Sequence, residues 1–341
     1  MSVIQNSIAK LCTRTGLSAD EAEATMNEIM DGGATQAQIG AYLGALRVRG
    51  ESVEEITGSA RAMRKHSLHV PTHRSPLIDV VGTGGDKSGT FNVSTTAMFV
   101  VAGAGGIVAK HGNRAASSQT GSADVLAALG VNVALTPDQA AQCIDQLGVG
   151  FMFAVTYHPA MKHAAGARRE IGTRTIFNIL GPLTNPAGAL HQLLGVFDPA
   201  LTEVMATVLR DLGSKHVLVV NCNGVDELLT TGTNKVTELK NGGMHTYQLD
   251  GLDLGLPRAS LDALAGGAPD FNASITRTIL QGRDIPVRED VVLLNAGAAL
   301  YAADLASDVR EGIVLARESI ASGAALAKLD ALVEMSQKFA S

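Results

Sequence analysis

The chain has no tryptophan, and phenylalanine and tyrosine together make up only 4% of its 341 residues. Its core must therefore be assembled mainly from Ala, Val, Leu and Ile, which dominate a hydrophobic content of 46%. Cysteine is scarce as well. Cys12, Cys143 and Cys222 form an odd set without CxxC spacing, which argues against a disulfide framework or a zinc site and for reduced, intracellular thiols. No apolar run approaches the length of about 18 residues that a membrane span requires. The most apolar stretch, residues 97–109, is short and interrupted by glycine. The first residues, MSVIQNSIAKLCTR, lack a continuous apolar segment, so no secretory signal is expected, and the sequon at Asn92-Val93-Ser94 reads as chance. Basic charge is in deficit: 27 Lys and Arg face 33 Asp and Glu, for a net charge of −6. That is the wrong sign for a general nucleic-acid binder, although a local site can still receive an anionic small molecule. These deficits predict a soluble, cytoplasmic protein without membrane or nucleic-acid partners.

What is present falls into two textures. The first seventy or so residues carry repeated helix-start signals. Ser18 with Glu21, Thr35 with Gln38, and Ser52 with Glu55 each fit a capping box, in which two orphan backbone donors are satisfied reciprocally. Gly32-Gly33 and Gly50 stand where the helices between them should end. Ile39, Leu43 and Leu46 recur on one helical face. Residues 1–72 are therefore expected to form a small helical domain whose apolar faces need a larger partner. Residues 69–76 (HVPTHRSP) break the pattern with two prolines and read as a linker.

From residue 73 to 341 short apolar runs alternate with Gly-rich turns and helices. LIDVV leads into GTGGD, GIVAKHG follows an Ala-rich segment, and HVLVVN precedes NGVDE. Such alternation predicts an α/β domain with a largely parallel central sheet flanked by helices. Thr136-Pro137-Asp138-Gln139 marks a further helix start, and Asn241-Gly242 a hairpin turn.

Four motifs carry chemistry. Gly82-Thr83-Gly84-Gly85-Asp86 follows the first strand-like run, and three glycines in four positions let backbone amides approach an anion. Thr90-Phe91-Asn92-Val93-Ser94-Thr95 then opens an apolar helix, whose N-terminus favours phosphate. The stretch matches neither GxGxxG nor a Walker A loop. Lys110-His111-Gly112-Asn113-Arg114-Ala115-Ala116-Ser117-Ser118 supplies a second donor-rich turn after a strand, and Gly121-Ser122 opens the next helix. Two such turns suit a ligand with two anionic ends at the carboxyl edge of an open sheet. Asp226-Glu227 would repel that ligand unless a cation lay between them, and hard oxygen donors beside phosphate suit Mg²⁺. Arg168-Arg169, followed by Arg174, offers forks for a carboxylate. No Ser-His-Asp set, His/Cys metal cluster or nucleophile elbow is evident, so covalent catalysis has no candidate.

In combination, DVVGTGGDKSGTFNVST, KHGNRAASSQTGSADVLAALG, HPAMKHAAGARREIGTRTIFNILGPLTNP and GVDEL resemble, in order, the motifs of the anthranilate phosphoribosyltransferases. The resemblance implies transfer of phosphoribose from phosphoribosyl pyrophosphate to anthranilate in tryptophan biosynthesis, with magnesium. It implies a homodimer formed through the helical domain, which residues 168–188 re-enter. By matching position it implies that Gly82, Gly85, Asp86, Thr90, Asn92, Val93, Ser94 and Thr95 contact phosphoribosyl pyrophosphate. So should Lys110, His111, Gly112, Asn113, Arg114, Ala115, Ala116, Ser117, Ser118 and Ser122. Ser94, Asp226 and Glu227 should hold the metal, and Gly82, Asn113 and Arg168 should meet anthranilate. No obligatory general base is implied; His111 is the one candidate for accepting a proton. Asn221-Cys222-Asn223 departs from the family's usual His-Gly, and Lys87-Ser88-Gly89 has no assigned role. A pyrimidine nucleoside phosphorylase and a non-catalytic nucleic-acid-binding paralogue resemble the same fold. The acidic pair, KHGNRAASS and the negative net charge favour the transferase.

Overall fold

The computed structural model describes residues 1–115 and 119–340. The chain opens with α1 (Val3–Cys12), α2 (Ala19–Met30), α3 (Gln36–Arg49) and α4 (Val53–Lys65). At the starts of α2, α3 and α4 the cap hydroxyls of Ser18, Thr35 and Ser52 accept the N–H three residues on, and Glu21, Gln38 and Glu55 return the bond. Ser2 and Gln5 build the same box for α1, a pair the sequence reading passed over. Ile39, Leu43 and Leu46 are buried on α3, with Tyr42 beside them.

Past the linker, strands and helices alternate: β1 (Leu77–Gly82), α5 (Val93–Gly103), β2 (Ile107–Gly112), α6 (Ser122–Ala128), α7 (Pro137–Leu147) and β3 (Val149–Phe153). The short α8 (Ala154–Tyr157), α9 (Lys162–Ile171) and α10 (Phe177–Leu180) lead to β4 (His191–Gly195). Then come α11 (Leu201–Asp211), β5 (His216–Asn221) and the hairpin of β6 (Thr233–Lys240) and β7 (Gly243–Asp250). The chain closes with α12 (Pro269–Leu280), α13 (Pro286–Ala302), α14 (Val309–Ala321) and α15 (Ala324–Lys338). Asn241 and Gly242 form the hairpin turn with φ of 50° and 81°, the left-handed pair such turns demand.

The seven strands lie in the order β3-β2-β1-β4-β5-β6-β7. The first five are parallel, and β6 and β7 extend the sheet antiparallel. The chain runs outward from β1 to β3 and then returns to the far side of β1 with β4. The topological switch thus falls between β1 and β4, where an open α/β sheet leaves a crevice at its carboxyl edge.

The alternation of side chains across each strand divides the core. Leu218 and Val220 of β5 pack into the core formed with α5 and α12 to α15. Val217 and Val219 of the same strand pack into a second core with α11 and the four N-terminal helices. Ala164, Ala167, Ile176 and Phe177 belong to that second core. The helical bundle and one face of the sheet therefore share a single apolar interior. Among the described residues no helix is long and apolar enough to cross a membrane.

Gly195 ends β4 directly beside Gly82 of β1. A Cβ at Gly195 would collide with the Asp226 backbone carbonyl, and one at Gly82 with the Asp226 carboxylate. Two bare strand ends are thus what let the acidic turn settle onto the sheet. Gly195→Ala is expected to destabilise the fold by about 1–3 kcal/mol through overpacking, read as a lower urea midpoint with an unchanged m-value.

Candidate active site

The carboxyl ends of β1, β2, β4 and β5 assemble one polar region. After β1, Thr83 donates its N–H to the Gly195 carbonyl at 2.9 Å and its hydroxyl accepts the Phe197 N–H at 3.1 Å. Gly84 and Gly85 take φ of 69° and 75°, a region that glycine alone enters freely. The Gly84 N–H reaches the Asp226 carboxylate at 2.5 Å. The first glycine loop and the acidic pair, 142 residues apart in sequence, are therefore in direct contact.

The loop ends at α5. Unlike the bundle helices, α5 has no side-chain cap, which leaves amides at its N-terminus for an anion. The Ser94 N–H takes the Glu227 carboxylate at 3.2 Å. Val93 and Thr95 bury their side chains, and the Val93 N–H is taken by the Phe91 carbonyl at 2.8 Å, so of the pair it is the Thr95 backbone N–H that can face a ligand. The Asn92 amide joins α12 to the turn before α6, accepting from Asn272 at 2.9 Å and donating to the Thr120 carbonyl at 3.2 Å. Thr90 is fixed by a bridge to Ala265, with Ser88 3.1 Å from its hydroxyl. Asp86 accepts the Ser88 N–H at 3.1 Å.

Asp226 is buried, and its proton affinity is raised by that burial and by the nearby Asp86 carboxylate. Burial and Asp226 push Glu227 upward in turn. Asp86, Asp226 and Glu227 form an all-oxygen donor set in which the two buried acids are pushed toward their neutral forms, so the set is short of positive charge. That donor set fits a hard divalent cation. Ser94, Asp226 and Glu227 are brought together, with the Ser94 hydroxyl 3.3 Å from the Lys110 ammonium.

The acidic pair follows a tight turn in which Asn223 and Gly224 have φ of 51° and 89° and Cys222 bridges Val225. The buried Asn221 amide donates to the Val196 carbonyl at 2.6 Å and the Val225 carbonyl at 3.3 Å, and accepts the Gly224 N–H at 3.1 Å. This side chain, part of the sequence departure, pins the acidic turn to the end of β4.

Lys110 is 1% exposed and points inward, donating to the Val80 carbonyl. Burial lowers its pKa against the pull of Asp79, Glu227 and Asp226. Beneath it Asp79, pushed up to about 6 by burial, accepts the His111 N–H at 3.2 Å and the Asn185 amide at 2.7 Å. Asn113 and Arg114 are exposed, and Arg114 pairs with Asp124 at 2.8 Å. Ser122 donates to the Asn113 carbonyl at 3.2 Å, and Gly112 packs tightly against Ser122. The Asp124 carboxylate also accepts the Ala115 N–H at 3.1 Å. The expected contacts Ala116, Ser117 and Ser118 lie outside the described residues.

Arg168 sits on α9 with its guanidinium 5.0 Å from the Phe177 ring centroid. It has no hydrogen bond or ion pair among the described residues, and burial lowers its pKa. A partly buried, unpaired arginine is a receptor for a carboxylate. No hydrogen bond joins Gly82, Asn113 and Arg168 to one another among the described residues. Arg174, grouped in the sequence with Arg168 and Arg169 as a fork for a carboxylate, instead donates to the Gly85 carbonyl and stacks 3.9 Å over Phe197. Asn185 lay within the GPLTNP motif, but nothing in the sequence pointed to Asn272 or Phe197.

At the amino edge of the sheet His191, His216 and Asp304 offer ligand atoms within 4.8 Å of one another, a grouping the sequence did not reveal. His191 Nδ1 donates to the Ala302 carbonyl at 2.7 Å, and the Lys240 ammonium already lies 3.8 Å from Asp304. The cluster reads as a polar tie to the end of α13.

The chain matches the glycosyl transferase family helical bundle domain over residues 5–67 and the glycosyl transferase family α/β domain over residues 74–326. Fold and site thus define a glycosyl transferase built of a helical bundle and an α/β domain. The anthranilate phosphoribosyltransferase of Moorella thermoacetica is 52% identical over 339 residues, covering 99% of this chain and 100% of its own. That of Symbiobacterium thermophilum is 53% identical over 323 residues, 94% of each chain. The crystal structure of the Thermus thermophilus enzyme superposes with a TM-score of 0.93 at 45% identity, covering 99% of this chain and 100% of that one. The Saccharomyces cerevisiae enzyme, solved with phosphoribosyl pyrophosphate and magnesium, gives 0.89 at 28% identity over 98% of each chain. The chain belongs to the anthranilate phosphoribosyltransferase family.

His111 and His158 lie with ring centroids 5.0 Å apart, both Nε2 atoms buried and unpartnered. Burial depresses their pKa values to about 3 and about 4 from 6.5. Below pH 6.5 the unfolded chain takes up protons that these rings refuse, so their stability contribution is complete above 6.5 and lost as pH falls. The loss is up to about 1.4 kcal/mol per pH unit for each ring. His158→Gln is expected to flatten the pH dependence of unfolding free energy between pH 6.5 and 5 by up to about one proton equivalent, measured by urea titration.

Proposed function

We propose that this chain joins phosphoribosyl pyrophosphate to the amino group of anthranilate, releasing pyrophosphate and N-(5-phosphoribosyl)anthranilate, at the site formed by residues 82–95, 110–122, Arg168 and the acidic pair. The observation that carries the reading is the gathering of Asp86, Asp226 and Glu227 beside the Gly84 and Ser94 amides. Acidic groups are useful there only if a cation joins them to an anionic substrate.

Ser94, Asp226 and Glu227 would hold magnesium, which when bound supplies positive charge to the leaving diphosphate. The glycine-loop amides and the uncapped start of α5 receive phosphate oxygens and are preorganised for the charge that develops as the C1–O bond breaks. C1 of the ribose then carries oxocarbenium-like charge, and the neutral aromatic amine attacks it without prior deprotonation. Arg168 grips the substrate carboxylate, Gly82 and Asn113 complete its seat, and catalysis is by positioning. After bond formation the amine must lose a proton. His111 is a poor acceptor, because its buried ring is held neutral with very low basicity; solvent or the departing diphosphate takes the proton.

We further propose that residues 1–72 with 168–188 form one unit and the rest the other. We also propose a cytoplasmic homodimer through the helical unit.

Anthranilate fluorescence should decay only when protein, phosphoribosyl pyrophosphate and magnesium are all present; phosphorolysis of thymidine or uridine instead would reverse the assignment. Arg168→Ala should raise the anthranilate KM about 10- to 100-fold, the worth of a charged hydrogen-bonded pair; an unchanged KM would remove Arg168 from the substrate seat. Asp226→Asn combined with Glu227→Gln should lower kcat/KM at least 100-fold at limiting magnesium, checked by magnesium titration of initial rates. Retained turnover there would discard the metal assignment.

A further inference from the structure

Arg174 lies on the connector between α9 and α10. Gly172 ends α9 in the left-handed region, with φ of 65°. The Thr175 N–H donates to Asn178 at 2.9 Å and sets the following turn. The connector is thus fixed at both ends to helices whose apolar residues pack with the bundle. From there the guanidinium reaches across to the sheet and makes two contacts of different kinds. It stacks 3.9 Å over the Phe197 ring, and its Nη2 donates to the Gly85 carbonyl in the first glycine loop.

Those two partners are themselves joined. The Phe197 N–H donates to the Thr83 hydroxyl at 3.1 Å, two residues before Gly85. Arg174, Gly85, Thr83 and Phe197 therefore close a ring of contacts around the loop. Gly85 is favoured by its φ of 75°, and a Cβ there would crowd Arg174 Nη2 at 3.3 Å. The other N–H groups of Arg174 have no hydrogen-bond partner among the described residues. Arginine presents a flat face to a ring and an in-plane donor to a carbonyl at once, whereas the lysine ammonium is a point charge.

We propose that Arg174 is a positioning residue: it latches the glycine loop in the form whose amides receive the diphosphate, and ties that loop to the helix carrying Arg168. The proposal rests on the function set out above. A loop with glycines at 82, 84, 85 and 89 loses much conformational freedom when a ligand orders it, and a latch formed beforehand spares the ligand that loss.

The test compares the full-length chain with Arg174→Lys, Arg174→Leu and Phe197→Leu. In the ligand-free proteins, hydrogen exchange of the peptide spanning residues 83–92 should quicken about fivefold or more in both Arg174 variants, with the bundle unchanged. The KM for phosphoribosyl pyrophosphate should rise about tenfold in both, the worth of one hydrogen bond to a charged group, while kcat changes less than threefold. Phe197→Leu keeps the cation and should give an intermediate rise. Wild-type exchange and KM in Arg174→Lys would overturn the latch, since charge alone would then suffice. If Arg174→Leu fails to fold, Phe197→Leu decides by the same two measurements. Calorimetry of wild type with phosphoribosyl pyrophosphate and magnesium separates the two levels. Faster exchange in the variants without wild-type binding would sink the functional assignment and keep the latch as a loop device; binding without an exchange change would do the reverse.

Discussion

Mutual repulsion among Asp86, Asp226 and Glu227 is the constraint to which this end of the molecule answers. Carboxylates gather in water only when something holds them, and here the holding is done by backbone. Gly84 and Ser94 turn their N–H groups toward Asp226 and Glu227, and the Asn221 amide pins the turn that carries both acids. Bare glycines at 82 and 195 leave room for it. The nearest buried cation, Lys110, is turned to the Val80 carbonyl and shares its charge with Asp79 beneath. The site is therefore built to remain short of positive charge, which is the condition for taking up a metal together with a polyanion. A net charge of −6 over the whole chain is no obstacle, because the cation needed is local.

Much of this was legible in the sequence, and the parts that were share a physical basis. Capping boxes are local: Ser18 and Glu21 need only the three residues between them to satisfy each other. The Asn241-Gly242 hairpin is equally local, as both residues tolerate positive φ. Asn223-Gly224 before the acidic pair is a turn on the same local chemistry, with φ of 51° and 89°. β3 and β4 were not read. Each is a five-residue, largely buried run, and such runs carry no periodicity to distinguish strand from buried helix.

The site was legible as motifs and illegible as contacts. GTGGD and the acidic pair each announced an affinity for charge, yet the bond from Gly84 to Asp226 spans 142 residues and depends on the strand order. Asn272, which completes the hydrogen bonding of Asn92, is 180 residues distant and sits in an ordinary helix. Lys110 shows the limit of residue type as a guide. Its charge marked it as a partner of phosphate, and its place in β2 sends the ammonium beneath the acidic pair, bonded to the Val80 carbonyl and 3.3 Å from the Ser94 hydroxyl.

The two cores explain how distant parts can act on one substrate pair. Had the bundle and the sheet separate interiors, α9 and the glycine loop would meet only across a seam, and their spacing would drift. Instead Ala164 and Ala167 of α9 pack in the same interior as Val217 and Val219 of β5. That interior fixes the scaffold of Arg168 relative to the strand ends, but it is apolar and stops short of the loop. Glycines cannot extend it, having no side chains to pack. A polar bridge from α9's connector is the remaining way to register a glycine-rich loop against the bundle, and Arg174 is the side chain that makes it.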